Sequence, residues 1–184
     1  MNKSYVFFAD GFEEIEALTV VDVLRRAGMS VEMVSINETA EVTGAHDVVV
    51  KADTTIADVD LNNAQWLILP GGMPGATNLA NCHAVCEALL KQNAKGDGIA
   101  AICASPSVVF GSLGLLNGKK AVCYPGMEAG MKGAIVGDGQ VAVDGNIITG
   151  NGPAAATAFA LAIAAATKGE AVAQAVADGM LVKF

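Results

Sequence analysis

The chain has 184 residues, of which 53% are hydrophobic and 16% are charged. This length suits one domain with a sizeable core, and this composition excludes a disordered chain. The formal net charge is −8 and no cluster of Lys or Arg stands out, which argues against nucleic-acid binding. We therefore expect a single domain over residues 1–184.

No segment of the sequence has the pattern of a signal peptide or a membrane span. The first apolar run is five residues long and ends at Asp10, too short for a signal-peptide core. The longest uncharged stretch, Gly145 to Thr167, is interrupted by polar residues and a proline. We expect a cytoplasmic protein without membrane association. Its four cysteines should then be reduced thiols, namely Cys82, Cys86, Cys103 and Cys123.

The sequence pattern predicts strands that alternate with helices. In chain order we predict strands at 4–9, 30–36, 66–70, 98–102 and 120–123 and hairpins at 41–53 and 141–149. Helices are predicted at 13–26, 81–94 with Asn81 as its cap, from the turn after Cys103 to 113, from Pro153 to 167, and at 170–177. The continuously apolar central strands indicate a parallel sheet covered on both faces, whose ligands bind beyond the carboxyl ends of its strands.

The first predicted helix is apolar over more than half of its circumference. Such a helix is usually buried on two sides, and we expect the sheet on one side and a second subunit on the other. Glu16 lies within this apolar arc, so its carboxyl should be partly desolvated and its pKa raised. The alternative is an ordinary helix-face acid that reaches solvent.

Cys103 stands where the apolar strand 98–102 changes abruptly to small residues and a proline. This pattern is typical of a nucleophile elbow, a sharp strand-to-helix turn that needs small neighbours such as Ala101 and Ser105. The start of the following helix would favour a thiolate. A buried structural cysteine at a strand end is the alternative.

Two further patterns bear on ligands. The glycine-rich turn Gly71–Gly75 follows a buried strand and can direct backbone N–H groups at an anion, although the Walker spacing is absent. Cys82 and Cys86 are one helical turn apart, but no second pair of ligands is evident. We therefore expect no metal site.

Four segments in order resemble one family. They are Glu13-Glu14-Ile15-Glu16, Leu69-Pro70-Gly71-Gly72, Ala100-Ala101-Ile102-Cys103-Ala104 and Asn151-Gly152-Pro153 with the helix that follows. Together they resemble the signatures of the ThiJ/PfpI superfamily, and the chain is most similar to its parkinsonism-associated deglycase subfamily. The resemblance implies a flavodoxin-like three-layer sandwich, a homodimer and chemistry that needs no cofactor.

The resemblance also implies a site. Cys103 would be the reactive cysteine, Glu16 a protonated acid beside its thiolate, and the backbone N–H groups of Gly72 and Ala104 an oxyanion pocket. The remaining pocket-lining positions implied by the resemblance are Gly71, Tyr124, His46, Asn151 and Pro153. The implied activity is conversion of small 2-oxoaldehydes to hydroxy acids through a hemithioacetal, or deglycation; the alternative is a non-enzymatic oxidative-stress sensor or chaperone that uses cysteine oxidation.

The sequence departs from the family pattern at three site positions. Tyr124 stands where many members have a histidine, and His46 and Asn151 replace two arginines of the anion pocket in close relatives. The chain has only two histidines. Because cysteine peptidases and amidotransferases normally need a Cys-His pair, these activities are disfavoured, with His46 as the exception to be examined.

Overall fold

The computed structural model describes residues 3–182. Its strands are β1 (Ser4–Phe8), β2 (Val31–Ser35), β3 (Glu41–Thr43), β4 (Val49–Lys51), β5 (Thr54–Thr55), β6 (Trp66–Leu69), β7 (Gly98–Ile102), β8 (Lys120–Ala121), β9 (Ile135–Val136), β10 (Val141–Asp144) and β11 (Ile147–Gly150). Its α-helices are α1 (Glu14–Arg26), α2 (Gly75–Asn81), α3 (His83–Lys95), α4 (Ala156–Lys168) and α5 (Glu170–Gly179). Shorter helical segments are Pro106–Gly111, which is π-helical, and the 3₁₀ turns Glu128–Gly130 and Pro153–Ala155.

Seven strands form the central sheet in the order β10-β11-β7-β6-β1-β2-β5. All neighbours pair in parallel except β10, which returns antiparallel to β11 at the edge. The carboxyl ends of β1, β6 and β7 therefore meet at one edge in the middle of the sheet. This is the edge at which ligands bind in open parallel sheets.

Strand β1 shows how the sheet is covered. Val6 and Phe8 pack into the core shared with α1, α4 and α5, whereas Tyr5 and Phe7 pack into the core shared with α2, α3 and Pro106–Gly111. Successive side chains of a strand point to opposite faces, so a strand buried on both faces reads as a nearly continuous apolar run, as residues 5–8 do after the buried Ser4. The predicted α/β three-layer sandwich of the flavodoxin-like type is confirmed.

Two helix predictions need correction. Asn81 does not cap a helix; it is the last residue of α2, which begins directly after the glycine-rich turn, and Cys82 occupies the cap position of α3. Ala76 and Leu79 bury the inner face of α2, a stripe too short to stand out in the sequence. The helix expected to reach 113 is π-helical and ends at Gly111, which packs directly against the carbonyl of Gly130.

The strand predicted at 120–123 is shorter than expected and lies outside the central sheet. Only Lys120–Ala121 is a strand, and it pairs in parallel with β9, which the sequence analysis missed. The N–H group of Val122 donates instead to the Thr149 hydroxyl at 2.9 Å, which ties this segment to the neighbouring β11. No helix among residues 3–182 is both long enough and apolar enough to cross a membrane.

The wide apolar arc of α1 has a reason within the chain, because α1 packs on α4 as well as on the sheet. Two of its apolar residues stay outside this packing: Ile15 is 57% exposed and Leu18 is 37% exposed. Val48 and Val49 of the β3–β4 hairpin are also exposed. We propose that a second copy of the chain covers these side chains.

We therefore expect sedimentation at micromolar concentration to give twice the 18.6 kDa mass of the chain. Leu18→Glu should shift the protein towards the monomer, because burying a carboxylate in an apolar interface is costly. Leu90→Glu is the matched control, since Leu90 is 44% exposed on α3, far from this surface. A monomeric wild type, or equal dissociation of both variants, would contradict the proposal.

Candidate active site

Cys103 lies directly after β7 in a conformation that only glycine adopts readily. Its φ is +64°, one of three positive values among the described non-glycine residues. Its neighbours hold this backbone in place. The Cys103 N–H donates to the Gly150 carbonyl at 2.9 Å, and the Tyr124 N–H donates to the Cys103 carbonyl at 2.8 Å. The geometry is that of the predicted nucleophile elbow.

Gly71 has no room for a side chain, because the elbow and α1 close on it from both sides. A β-carbon at Gly71 would lie 2.6 Å from Cys103 Cβ, 2.8 Å from Glu16 Oε2 and 3.0 Å from Cys103 Sγ. The cysteine and the glutamate thus lie against the same point of the backbone. The elbow is also tied to this turn by Ser105, whose hydroxyl donates to the Pro70 carbonyl at 2.5 Å.

Glu16 is fully buried on the first turn of α1. Its Oε2 accepts a hydrogen bond from the Gly71 N–H at 2.7 Å, while its Oε1 is buried without a hydrogen-bond partner. Burial raises the pKa of Glu16 to about 7. The expected desolvation of this carboxyl is present, and it is not a solvated helix-face acid.

The thiol of Cys103 has no low pKa of its own, contrary to the expectation from the helix start. Burial and the charge of an ionised Glu16 raise its pKa to about 12, against the lowering effect of the Gly72 and Ala104 N–H groups. Because each negative charge opposes the other, the two groups carry at most one negative charge between them near neutral pH.

Cys103 opens into a cleft of about 580 Å³. The residues that line this cleft are Glu13, Glu14, Ile15, His46, Val48, Gly72, Cys103, Tyr124 and Pro153. Of the predicted site residues, the cleft brings together Cys103, Gly72, His46, Tyr124 and Pro153. Gly71, Ala104 and Glu16 lie behind the sulfur. Asn151 is not among the lining residues; its side-chain amide donates to the Gly139 carbonyl at 3.4 Å.

His46 pairs with Glu14 and not with the cysteine. His46 Nδ1 lies 2.6 Å from Glu14 Oε2, and the His46 N–H donates to Glu14 Oε1 at 2.7 Å. The hydrogen bond to Glu14 raises the pKa of His46. Although burial opposes it, the bonds from His46 hold the pKa of Glu14 below its usual value. The imidazole is thus oriented as a wall of the cleft, 70% exposed, rather than as a base for Cys103.

The sequence analysis missed Glu13, Glu14, Ile15 and Val48 as cleft residues. Glu13, Glu14 and Ile15 directly precede Glu16 in the sequence, and this adjacency was a signal that they could line its site. Val48 lies on a hairpin, and no local sequence pattern predicts where that hairpin packs. Within residues 3–182, Glu13, Glu14 and His46 are also the group of three ligand-type side chains close enough for a metal, with ligand atoms within 4.8 Å of one another. Their own hydrogen bonds account for this proximity.

The chain is similar in sequence to known proteins of one family. A model of the DJ-1/PfpI family matches residues 2–166. Protein dj-1beta of Drosophila melanogaster is 38% identical over 187 residues, which cover 100% of both chains. Protein DJ-1 homolog B of Arabidopsis thaliana is 37% identical over 162 residues, which cover 88% of this chain and 37% of that longer protein.

Two more comparisons concern chemistry and fold. A protein of Pyrococcus horikoshii that carries the name deglycase is 34% identical over 148 residues, covering 79% of this chain and 87% of its own. The solved structure of oxidized DJ-1 from Toxoplasma gondii superposes with a TM-score of 0.96 at 38% identity and covers 100% of both chains. The chain therefore belongs to the DJ-1/PfpI family and is a reactive-cysteine protein of the DJ-1 type.

Proposed function

We propose that this protein converts small 2-oxoaldehydes to 2-hydroxy acids without a cofactor, with Cys103 as nucleophile and Glu16 as proton carrier. One observation carries the proposal: a cysteine on a strained elbow, open to a cleft, lies against the same point of the backbone as a fully buried carboxyl, and burial raises the pKa of that carboxyl to about 7. The similarity to a protein named deglycase supports it.

On their pKa values Glu16 ionises before Cys103, but the contacts around the pair also stabilise the charge on the sulfur, to which a proton transfer from Cys103 to Glu16 would move it. The N–H groups of Gly72 and Ala104 stabilise the thiolate, which also borders the open cleft. The carboxyl of Glu16 is fully buried and receives a single N–H, while its Oε1 has no partner. A proton on the carboxyl removes the cost of an unpartnered buried charge, and the side-chain hydrogen bond between Glu16 and Cys103 then gives the thiolate an O–H donor.

The reaction then proceeds without an external oxidant or reductant. The thiolate forms a C–S bond to the aldehyde carbon, and the C=O electron pair becomes an alkoxide held by the Gly72 and Ala104 N–H groups and protonated by Glu16. Glu16 next removes the hydrogen from that carbon and a proton is returned to the neighbouring carbon, giving a thioester of the hydroxy acid. Water hydrolyses the thioester, which releases the hydroxy acid and restores the thiol.

A redox sensor is the second candidate, favoured by the close similarity to a structure of oxidized DJ-1. Peroxide would transfer one oxygen atom to the thiolate in each of two steps, giving a sulfenate and then a sulfinate, with water or hydroxide as the product. The same two N–H groups and the Glu16 proton would stabilise the sulfinate. Turnover of methylglyoxal distinguishes the enzyme from the sensor.

Glu16→Gln should lower kcat/KM for methylglyoxal on the order of 10²-fold or more, because an amide keeps the size of the side chain but cannot carry a proton. Cys103 should remain open to alkylation, since the amide still donates a hydrogen bond to the thiolate. Glu16→Leu removes this donor as well, so alkylation should slow near pH 7. Steady-state kinetics with methylglyoxal measure the first effect, and the rate of iodoacetamide labelling as a function of pH measures the second.

Glu87→Gln makes the same chemical change on the exposed face of α3 and should leave both quantities unchanged. Coincident alkylation profiles for wild type, Glu16→Gln and Glu16→Leu would show that Glu16 does not act on the sulfur. Wild type with no methylglyoxal turnover would refute the enzymatic proposal and leave the sensor.

Brief treatment with dilute peroxide should oxidise Cys103 before Cys82, Cys86 and Cys123. Glu16 can hold the proton that Cys103 loses, whereas burial and the charge of Glu128 raise the pKa of Cys123 to about 11, and burial and the neighbouring Cys82 raise that of Cys86. Site-resolved mass spectrometry gives the order. Cys82 is the partly exposed reference thiol, and faster oxidation there would contradict the assignment of Cys103.

A further inference from the structure

We propose that the cleft selects uncharged carbonyl compounds over those that bear a carboxylate or phosphate, and that Glu13 and Glu14 are the residues that determine this specificity. The inference rests on the function proposed above and names the substrate class of the same site. It is carried by the charges and hydrogen bonds of the residues around the cleft.

The ionisable lining of the cleft is acidic. Two carboxylates, Glu13 and Glu14, stand with one histidine around the sulfur, and among the described residues no Lys or Arg lines the cleft. The Cys103–Glu16 pair adds a further negative charge. A protonated His46 offsets one charge at most, and it does so for Glu14, its direct partner. An anion that enters the cleft therefore meets net negative charge.

The backbone donors near the cleft are already occupied by the chain's own acids. At the start of α1, the Glu16 N–H donates to Glu13 Oε2 at 2.7 Å. The Gly71 N–H donates to Glu16 Oε2, and the His46 N–H donates to Glu14 Oε1. A helix start and a glycine-rich turn usually attract anions through such N–H groups. Here the carboxylates take these donors, and the Gly72 and Ala104 N–H groups serve the sulfur.

The rest of the wall suits a small apolar substituent. Tyr124 and Pro153 line the cleft, and Tyr124 is exposed there; Ile15 and Val48 line it on the side that the proposed second copy would border. A methyl or phenyl group beside the reacting carbonyl can bury apolar area against them. A carboxylate or phosphate in the same place would lose water without gaining a Lys, an Arg or one of the backbone N–H groups that the acids already hold, and the one imidazole of the cleft is paired with Glu14.

Cys103 alkylation tests this selectivity without requiring turnover. Iodoacetamide and iodoacetate have nearly the same size and react at the same carbon, but only iodoacetate is anionic. Each rate at Cys103, resolved by mass spectrometry, is divided by the rate with 2-mercaptoethanol under the same conditions. We expect the normalised rate for iodoacetate to be lower by roughly tenfold or more, and the difference to shrink at high salt. Cys82 provides the internal reference and should show little discrimination.

Substitution then identifies the responsible charges. Glu14→Gln keeps an acceptor for the His46 N–H and should bring the two normalised rates severalfold closer, as should Glu13→Gln. Glu87→Gln, which removes an acid far from the cleft, should not change their ratio. Equal normalised rates in the wild type, or a preference for iodoacetate, would overturn the inference. An unchanged ratio in both cleft variants would overturn the assignment to Glu13 and Glu14.

Turnover separates this inference from the function on which it rests. With phenylglyoxal and 4-carboxyphenylglyoxal, kcat/KM should be roughly tenfold or more higher for the uncharged compound. Turnover of both at equal efficiency would overturn the selectivity but keep the enzyme. If neither is converted, the proposed function fails, and the alkylation ratio alone still decides whether the cleft excludes anions.

Discussion

The close approach of three chain segments at Gly71 and Gly72 is the constraint on which the site depends. A β-carbon at Gly72 would lie 2.4 Å from both the Glu13 nitrogen and the Gly11 carbonyl oxygen, and one at Gly71 would overlap Cys103 and Glu16. The Gly71 carbonyl accepts the Glu13 N–H at 3.0 Å, and its N–H serves Glu16. The end of β6 thus fixes the start of α1 against the elbow after β7.

This packing explains the electrostatics of the pair. Because the turn, the helix and the elbow exclude water from Glu16, its carboxyl is costly to ionise and its pKa rises to about 7. The sulfur sits at the boundary between this buried point and the open cleft, where two N–H groups reach it. One buried acid and one bordering thiol can then exchange a proton, which either proposed chemistry requires.

The outer part of the cleft is held together by a hydrogen-bonded pair at its rim, unlike the buried Cys103–Glu16 pair. Glu14 and His46 are brought together from α1 and the loop between β3 and β4, and the isolated bridge between Phe12 and Gly44 holds these segments side by side. Their pairing fixes the rim in position, and Glu13 beside them leaves the lining acidic on balance. In the function proposed here, the buried pair acts on the carbonyl and the rim selects among carbonyl compounds.

The sequence by itself determined the layered α/β fold, because apolar runs and helical periodicity are local patterns. It indicated the elbow at Cys103 and the desolvation of Glu16 but left a structural cysteine and a solvated acid as alternatives. It misplaced Asn81, missed β9 and did not show which of His46, Tyr124 and Asn151 line the cleft. The tertiary structure decided those, since it alone joins His46 to Glu14 across the chain and turns Asn151 towards Gly139. It also set the ionisation of Cys103, because a pKa depends on burial and on charges from other elements, which no spacing along the chain reports.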